Sequence, residues 1–380
     1  LSISSSGYSY QIEFKSKILE VRGHFCEVPI IFTDREDGKS KMSGRIVFEG
    51  ILAPWKIAIR ALFKKQNFVN ILKKSFLVFL AIFTVFFSFY RLSESPPVWY
   101  DEGFYFQTAA NMGGSLEYGV RFSPDKVERI SKMSVGYPLI YPLATVLRGY
   151  GVNIIVARRF LLLYLIGFVL SGYLLAKKLF GKNIALGSLA LLATFPPLYG
   201  NGKIILGEVP GSLYLILALL SMSYAFSNRS PKKSFFLILA GLLMGLSAAT
   251  KPIFLLALPA FGIVALIKFF SKRLSLKDLL IIGTTILIPI IIWIFTQFNR
   301  HDSLSTILGF YANPSEINDM PDRFLVNLRG LVGGIGPIYT LVILLVWAVS
   351  ILIKRAKREA VSFSEGVAFV FSSLVFGAYL

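Results

Sequence analysis

The sequence VWYDEGFYF at residues 98–106 places two adjacent carboxylates, Asp101 and Glu102, among five aromatic side chains. It follows an apolar span at residues 75–90 and a Ser-Pro-Pro break at residues 95–97. A carboxylate beside a membrane helix is unfavourable unless water, a cation or a reaction stabilises its charge. The stretch therefore predicts either an interfacial aromatic belt with two solvated acids or a catalytic carboxylate at the water–lipid boundary.

The composition around this stretch is that of a membrane protein. Of the 380 residues, 55% are hydrophobic, and the mean hydropathy of +0.66 exceeds that of ordinary soluble domains. The fold class predicted is mainly α: a polytopic membrane protein with a small α/β segment at its N-terminus. The apolar runs predict about nine transmembrane helices, near residues 71–90, 156–176, 184–200, 208–226, 235–250, 252–269, 279–298, 335–353 and 361–380.

The positive charge follows the same pattern. The formal net charge is +19, but the cations cluster at the ends of apolar runs, which is typical of loops held on the cytoplasmic side and argues against nucleic-acid binding. We therefore expect an integral membrane protein, in the plasma membrane of a prokaryote, with a cytoplasmic N-terminal segment. The same orientation places Asp101, Glu102, Glu208 and Lys251 on the non-cytoplasmic side. The clusters are Lys177-Lys178, Lys232-Lys233, Lys272-Arg273 and Lys354-Arg355.

Metal and disulfide chemistry find little support. The chain has one cysteine, Cys26, and two distant histidines, His24 and His301, so no disulfide, Cys-based zinc site or HExxH pattern is present. We predict no metal site and no definite cofactor. A divalent cation is left open, although no ligand cluster demands one.

Two domains are expected. Residues 1–65 are polar, with an edge strand near residues 25–32 and an amphipathic helix at residues 46–63. Residues 66–380 form the membrane domain, with a long outer loop at residues 91–155 in which we expect short surface helices. A second outer segment from residue 299 to about residue 334 would cap the same site. Both termini look truncated.

The N-terminal domain carries the first family resemblance. The pieces GYSYQIE at 7–13, EVPI at 27–30, DR at 34–35 and GKSK at 38–41 resemble the C-terminal end of the dolichol-phosphate mannosyltransferases, which are GT-A enzymes. The resemblance implies that Arg35 and Lys41 face phosphate; the alternative is a solvated charged loop. The nucleotide-binding half of such an enzyme would precede Leu1, so this piece is expected not to load sugar onto a lipid.

Two polar positions in the membrane domain stand out. Glu208 begins an apolar span in LGEVPG, and Lys251 separates two apolar runs in AATKP. Glu208 either favours the helix dipole or belongs to a site. Lys251 either snorkels to the interface or binds an anion.

These residues belong to a second resemblance. Residues from about 75 to 380 resemble the GT-C glycosyltransferases of the protein O-mannosyltransferase and aminoarabinose transferase type. One departure is Glu208, where many relatives carry Asp. The matching pieces, in order, are Asp101-Glu102, YPL at 137–139, GVN at 151–153, ARR at 157–159, KLFG at 178–181, EVP at 208–210, AGLLMGL at 240–246 and TKP at 250–252.

The resemblance implies an inverting transfer of a sugar, a mannose-like hexose, from a polyisoprenyl-phosphate donor to a protein, lipid or glycan acceptor. A phosphate leaving group needs a cation, and the acceptor hydroxyl needs a base. We therefore expect Asp101 as base and Lys251 at the phosphate. Glu102 and Glu208 would orient acceptor or sugar. Further substrate contacts are Tyr137 and, as second-choice phosphate contacts, Arg158 and Arg159.

Two other functions are weighed against this one. A lipid-sugar flippase should carry polar residues along the mid-depth of its spans, whereas these spans are mostly apolar. A non-catalytic membrane anchor for the N-terminal enzyme would not need a long aromatic outer loop with paired acids.

Overall fold

The computed structural model describes residues 9–21, 44–64, 66–123, 126–128, 134–227, 232–298, 335–356 and 361–379, with residues 24, 26, 28, 29 and 31. Most of these residues are helical. The chain divides into two compact units, Leu1–Ala81 and Ile82–Leu380.

The first unit contains α1 (Ser9–Glu20), α2 (Gly44–Lys64) and the first part of α3 (Gln66–Phe89). The helix predicted at residues 46–63 is confirmed as α2, which exposes Val47, Ile51 and Trp55 along its length. The strand expected near residues 25–32 lies largely outside the described residues. No strand occurs in the described part of this unit, so the α/β character is not established.

The second unit is a helical assembly with one small sheet. After the end of α3 its elements are α4 (Tyr100–Gly114), β1 (Val120–Ser123), β2 (Lys126–Glu128), α5 (Tyr137–Tyr150), α6 (Ile154–Phe180), α7 (Lys182–Ala193), α8 (Pro196–Asn201), α9 (Glu208–Ala225), α10 (Lys233–Thr250), a 3₁₀ turn (Pro252–Leu256), α11 (Ala257–Phe270), α12 (Leu276–Gln297), α13 (Ile335–Ala356) and α14 (Phe363–Tyr379).

The described residues of the long loop at 91–155 form helices and a hairpin. The short helices expected there are present as α4 and α5, which pack on each other through a core that includes Ala109, Leu139 and Leu143. The antiparallel hairpin of β1 and β2, in which Val120 pairs with Glu128, was not predicted. The loop is therefore a small folded layer beside the spans, and it carries Asp101 and Glu102.

Five described helical segments are long and apolar enough to cross a membrane. The prediction of about nine spans is thus confirmed only in part. Shorter apolar helices occur at Lys74–Phe89, Lys182–Ala193, Leu341–Lys354 and Phe363–Val375. The five long segments are Ile154–Phe180, Glu208–Ala225, Lys233–Thr250, Pro252–Phe270 and Leu276–Gln297.

Close packing fixes how α9, α10 and α12 meet. A Cβ on Gly241 of α10 would lie 1.9 Å from Thr285 Oγ1 of α12. Ser247 Oγ of α10 donates to Gly211 O of α9 at 2.7 Å. In lipid, helices associate through such close van der Waals contact and interhelical hydrogen bonds rather than through the hydrophobic effect. The contacts hold the C-terminal end of α10 beside the N-terminal end of α9.

Candidate active site

A buried ion pair joins α4 to α6. Arg158 Nε donates to Glu102 Oε1 at 2.9 Å, and Arg158 Nη2 donates to Glu102 Oε2 at 2.7 Å. Both side chains have 0% solvent exposure. Parallel bonds of this kind are the strongest geometry for an Arg–carboxylate pair, and burial makes the loss of either partner costly.

Backbone atoms form further hydrogen bonds with this ion pair. Arg158 Nη1 donates to Leu92 O at 2.9 Å, and Ile205 N donates to Glu102 Oε1 at 3.3 Å. The sequence predicted that Glu102 orients acceptor or sugar and that Arg158 contacts phosphate. The structure instead turns the two side chains toward each other, away from solvent, so their position favours a role in holding the site together.

Asp101 occupies the first turn of α4 and is only partly buried. One turn later, Tyr105 is almost fully buried and its hydroxyl shares a hydrogen bond with Ser134 Oγ at 2.5 Å. Burial raises the pKa of Tyr105 to about 12, and the negative charges of Asp101 and Glu208 act in the same direction. The bond from Ile205 N to Glu102, the residue after Asp101, brings the start of α4 close to the segment that leads into α9.

Glu208 and Lys251 form the second ion pair of this region, between Lys251 Nζ and Glu208 Oε1. Glu208 is the first residue of α9, and Lys251 follows the last residue of α10. The two helix ends lie close together: a Cβ added to Gly207 would lie only 3.1 Å from both Lys251 Cβ and Thr250 O. Glu208 Oε2 is buried and has no hydrogen-bond partner among the described residues.

The segment before α5 is clamped to the end of α10 by backbone atoms. Gly136 N donates to Thr250 O at 3.0 Å. A Cβ on Gly136 would lie 2.0 Å from Ala249 O, so only glycine fits at this contact. Tyr137, expected to bind substrate, starts α5 and packs against a small cluster formed by Ala249, Trp293 and Phe298. Burial raises the pKa of Tyr137 to about 12.

The other predicted site residues lie apart. Arg159 is exposed on α6, whereas the neighbouring Arg158 is buried, because consecutive helical residues point about 100° apart. Arg35 and Lys41 lie outside the described residues. The structure therefore pairs Glu102 with Arg158 and Glu208 with Lys251, and it leaves Arg159 exposed on α6.

Two further residues were missed by the sequence analysis. Tyr105 stood within the quoted stretch but was counted only as an aromatic residue. Lys203, in the loop before α9, is 4% exposed and donates from Nζ to Tyr90 O at 3.1 Å. Burial lowers the pKa of Lys203, and the charge of Arg158 lowers it further. A lone lysine in the apolar context GKIIL was the signal that could have identified it.

The described residues offer no metal-binding cluster. No group of three or more His, Cys, Asp or Glu side chains with suitable geometry occurs in the described part of the chain. The chemistry available there consists of the partly exposed Asp101 carboxylate, the Glu208–Lys251 pair, and the phenols of Tyr105 and Tyr137, whose pKa values burial raises to about 12.

Part of the chain matches a known protein family. Residues 136–304 match the family model of dolichyl-phosphate-mannose-protein mannosyltransferases. The match includes Tyr137, Arg158, Glu208 and Lys251, and it begins after α4 and its acids.

A curated relative is similar over a shorter stretch. This protein, an undecaprenyl-phosphate mannosyltransferase of Micrococcus luteus, is 39% identical over 61 residues, which is 16% of this chain and 25% of the relative. The chain thus spans about a quarter of the length of the curated relative that it matches. No solved structure matches the chain. At residues 136–304, from the segment before α5 past the end of α12, the chain is therefore similar to the dolichyl-phosphate-mannose-protein mannosyltransferases.

Proposed function

We propose that this chain is a membrane glycosyltransferase that takes a mannose-like hexose from a polyprenyl-phosphate donor. The observation that carries the proposal is the Glu208–Lys251 pair close to the α4 acids, since Glu102, next to Asp101, accepts a hydrogen bond from Ile205 N three residues before Glu208. The family match over residues 136–304 supports the same reaction class. The acceptor is a hydroxyl of a protein, lipid or glycan.

Asp101 acts as the general base. It accepts the proton of the acceptor hydroxyl while the hydroxyl oxygen attacks the anomeric carbon of the sugar. The bond from that carbon to the phosphate oxygen breaks on the opposite face, so the configuration inverts. The electron pair of the broken bond stays on the lipid phosphate, which leaves as an anion and needs no strong general acid.

Lys251 stabilises the phosphate. Its ammonium is paired with Glu208 in the structure, so a donor phosphate competes with the Glu208 carboxylate for the same cation. We infer that Glu208 turns toward the sugar when the phosphate takes its place, and that the buried Oε2 finds a hydroxyl partner there. At Lys251 one anion takes the place of another, so the ammonium stays paired, and the displaced Glu208 carboxylate is stabilised by hydrogen bonds from the sugar hydroxyls.

Glu102 and Arg158 are positioning residues in this proposal. Their pair connects the turn that carries Asp101 to α6 and to the loop before α9. A base must lie within hydrogen-bond reach of its proton, so a rigid anchor beside Asp101 serves the reaction without touching the substrate. Arg159 and Tyr137 remain candidates for direct contact with the substrate.

The membrane arrangement follows from the charge pattern. We propose about nine spans, formed by the five long apolar segments and the four shorter apolar helices of the described residues. The clustered cations put the N-terminal segment in the cytoplasm and the site on the opposite face, in the plasma membrane of a prokaryote. For residues 1–65 we retain the GT-A interpretation, with Arg35 and Lys41 near phosphate.

A transfer assay with the full-length protein tests the proposal. Membranes containing it are given polyprenyl-phosphate mannose with a labelled sugar, and label is followed into lipid-free and protein fractions. We expect label to leave the donor lipid and to appear in an inverted linkage on an acceptor. Movement of intact donor lipid across the bilayer without release of sugar would instead indicate a flippase and overturn the proposal.

A further inference from the structure

A groove lies at the opposite end of the spans from Asp101. The C-terminal ends of α6, α9 and α11 meet the start of α14 there and enclose about 490 Å³. The described residues that line the groove include three cations, Lys178, Lys268 and Arg273, and no acid. This concentration of positive charge has no part in the proposed transfer.

Two of the cations are held at the groove wall. Lys268 Nζ donates to Val361 O at 2.7 Å. Lys178 Nζ lies 4.8 Å from the centroid of the Tyr224 ring and 3.4 Å from Ser227 Oγ. The contacts of Lys178 orient its ammonium group without neutralising it, because a hydroxyl and an aromatic ring carry no net charge. Arg273 adds a planar guanidinium, which suits phosphate oxygens.

The groove also has polar and apolar walls suited to an amphipathic ligand. Ser223 and Ser362 supply hydroxyls, and Phe226 and Phe363 supply aromatic surface. The groove volume is many times the roughly 30 Å³ that a water molecule takes up, so the groove has room for more than a small free anion. Leu174, one turn before Lys178 on α6, is 44% exposed and offers an apolar path away from the cations.

We propose that this groove binds the phosphate headgroup of an anionic membrane lipid, with the acyl chains along the apolar side of α6. Basic pockets between transmembrane helices commonly take such headgroups. The bound lipid would join the ends of α6, α9 and α11 to α14, and so stabilise the packing of α14 against the other helices. The proposal does not depend on the proposed transfer reaction.

The test measures binding of short-chain phosphatidylglycerol to the purified full chain in neutral detergent by native mass spectrometry. Lys178→Gln/Arg273→Gln removes two groove cations. Lys177→Gln/Lys272→Gln is the matched control, because it removes the same charge from exposed neighbours that do not line this groove. We expect affinity to fall at least about tenfold in the first variant and to change less than about twofold in the control.

A charge-preserving variant and a competition with inorganic phosphate complete the test. The charge-preserving Lys178→Arg/Arg273→Lys should bind within about threefold of the wild type, and loss of affinity in this variant would overturn the proposal. Inorganic phosphate should not displace the lipid at equal concentration; displacement would indicate a site for the free anion instead. Equal loss in both charge-removing variants would show general surface attraction and also overturn the proposal.

Discussion

Arg158 on α6 donates hydrogen bonds to both carboxylate oxygens of Glu102 on α4, at 2.9 and 2.7 Å, and neither side chain is exposed to solvent. Asp101, the residue before Glu102, remains partly exposed. Neighbouring residues on a helix point about 100° apart, so an inward Glu102 turns Asp101 away from the pair. The two adjacent acids therefore have different environments, and we assign them different functions.

The first prediction concerns the base. Asp101→Asn keeps the size of the side chain but cannot accept a proton, so turnover should fall about 10²–10⁴-fold. Donor affinity should change little, because the phosphate is assigned to Lys251. Sugar transfer and donor binding are measured in liposomes with the full-length protein. Near-normal transfer would leave Asp101 as a solvated interfacial acid.

The second prediction concerns the buried pair. Glu102→Gln leaves the Arg158 charge buried without its counter-ion, which should lower the free energy of unfolding by about 3–5 kcal/mol. Thermal unfolding in detergent measures the loss. Glu117→Gln is the control, because Glu117 and Arg121 form an exposed ion pair at 3.9 Å. This substitution should hardly change the midpoint temperature of unfolding.

A second substitution separates anchoring from chemistry. Glu102→Gln/Arg158→Met removes both charges, so it should recover part of the stability lost in the single variant. Recovery of stability together with some transfer would fit positioning residues. A stable double variant with transfer reduced as far as in Asp101→Asn would contradict that role and indicate direct contact with the substrate.

The third prediction concerns the exchange at Lys251. Glu208→Gln removes the carboxylate that competes with the donor phosphate, so the donor should bind about two- to fivefold more tightly, as expected for a partly exposed ion pair. Lys251→Ala should weaken donor binding. Isothermal titration with a donor analogue measures both. Weaker donor binding in Glu208→Gln would argue against competition for Lys251, because the contact of Glu208 with the sugar would then outweigh it.

The sequence singled out candidate site residues but did not predict the partners that the structure gives them. The DE pair, the lone Glu208 and Lys251 were recognisable as polar residues in apolar surroundings. The pairing of Glu102 with Arg158 was not, because 56 residues separate them and only the packing of α4 against its neighbours brings them together. Lys203 was missed for the same reason, since its partner is the carbonyl of Tyr90.

The fourth prediction concerns Tyr105. Its pKa in the folded protein is about 12, above the ordinary value of about 10, so the folded state favours the protonated phenol. The resulting stability is fully present below about pH 10 and is lost as the pH rises toward 12, by about 2–3 kcal/mol. The free energy of unfolding is measured at several pH values for the wild type and for Tyr105→Phe. The variant has no phenol at this position, so it should lose less stability between pH 10 and 12.

The fifth prediction concerns topology. In a Cys26→Ser background, Ser115→Cys lies at the end of α4 and Ser271→Cys at the end of α11, and both positions are exposed. The charge pattern places them on opposite faces. An impermeant thiol reagent should label Ser115→Cys in intact cells and label Ser271→Cys only after lysis. The reverse pattern would move the site to the cytoplasmic face.

The number of spans was harder to predict than their order. The predicted span at residues 184–200 is divided between α7, which has 12 residues, and α8, and the last apolar helix, α14, has 17 residues. These are short for a bilayer that needs about 20 residues per helix. Hydropathy alone reports apolar length, and it does not report where a helix ends. The hairpin of β1 and β2 was missed because its strands have four and three residues.

The clamp between Gly136 and Thr250 has a consequence for redesign. Its hydrogen bond joins two backbone atoms, Gly136 N and Thr250 O, so the frame of the site does not depend on the identity of the side chains around it. Tyr137, which follows Gly136, is a neighbour whose side chain can be changed while its backbone keeps its place, whereas Lys251 is assigned to the donor phosphate and must be kept. An engineer who wishes to change the accepted sugar should alter such neighbours and leave Gly136 untouched, because any larger residue there would collide with Ala249 O.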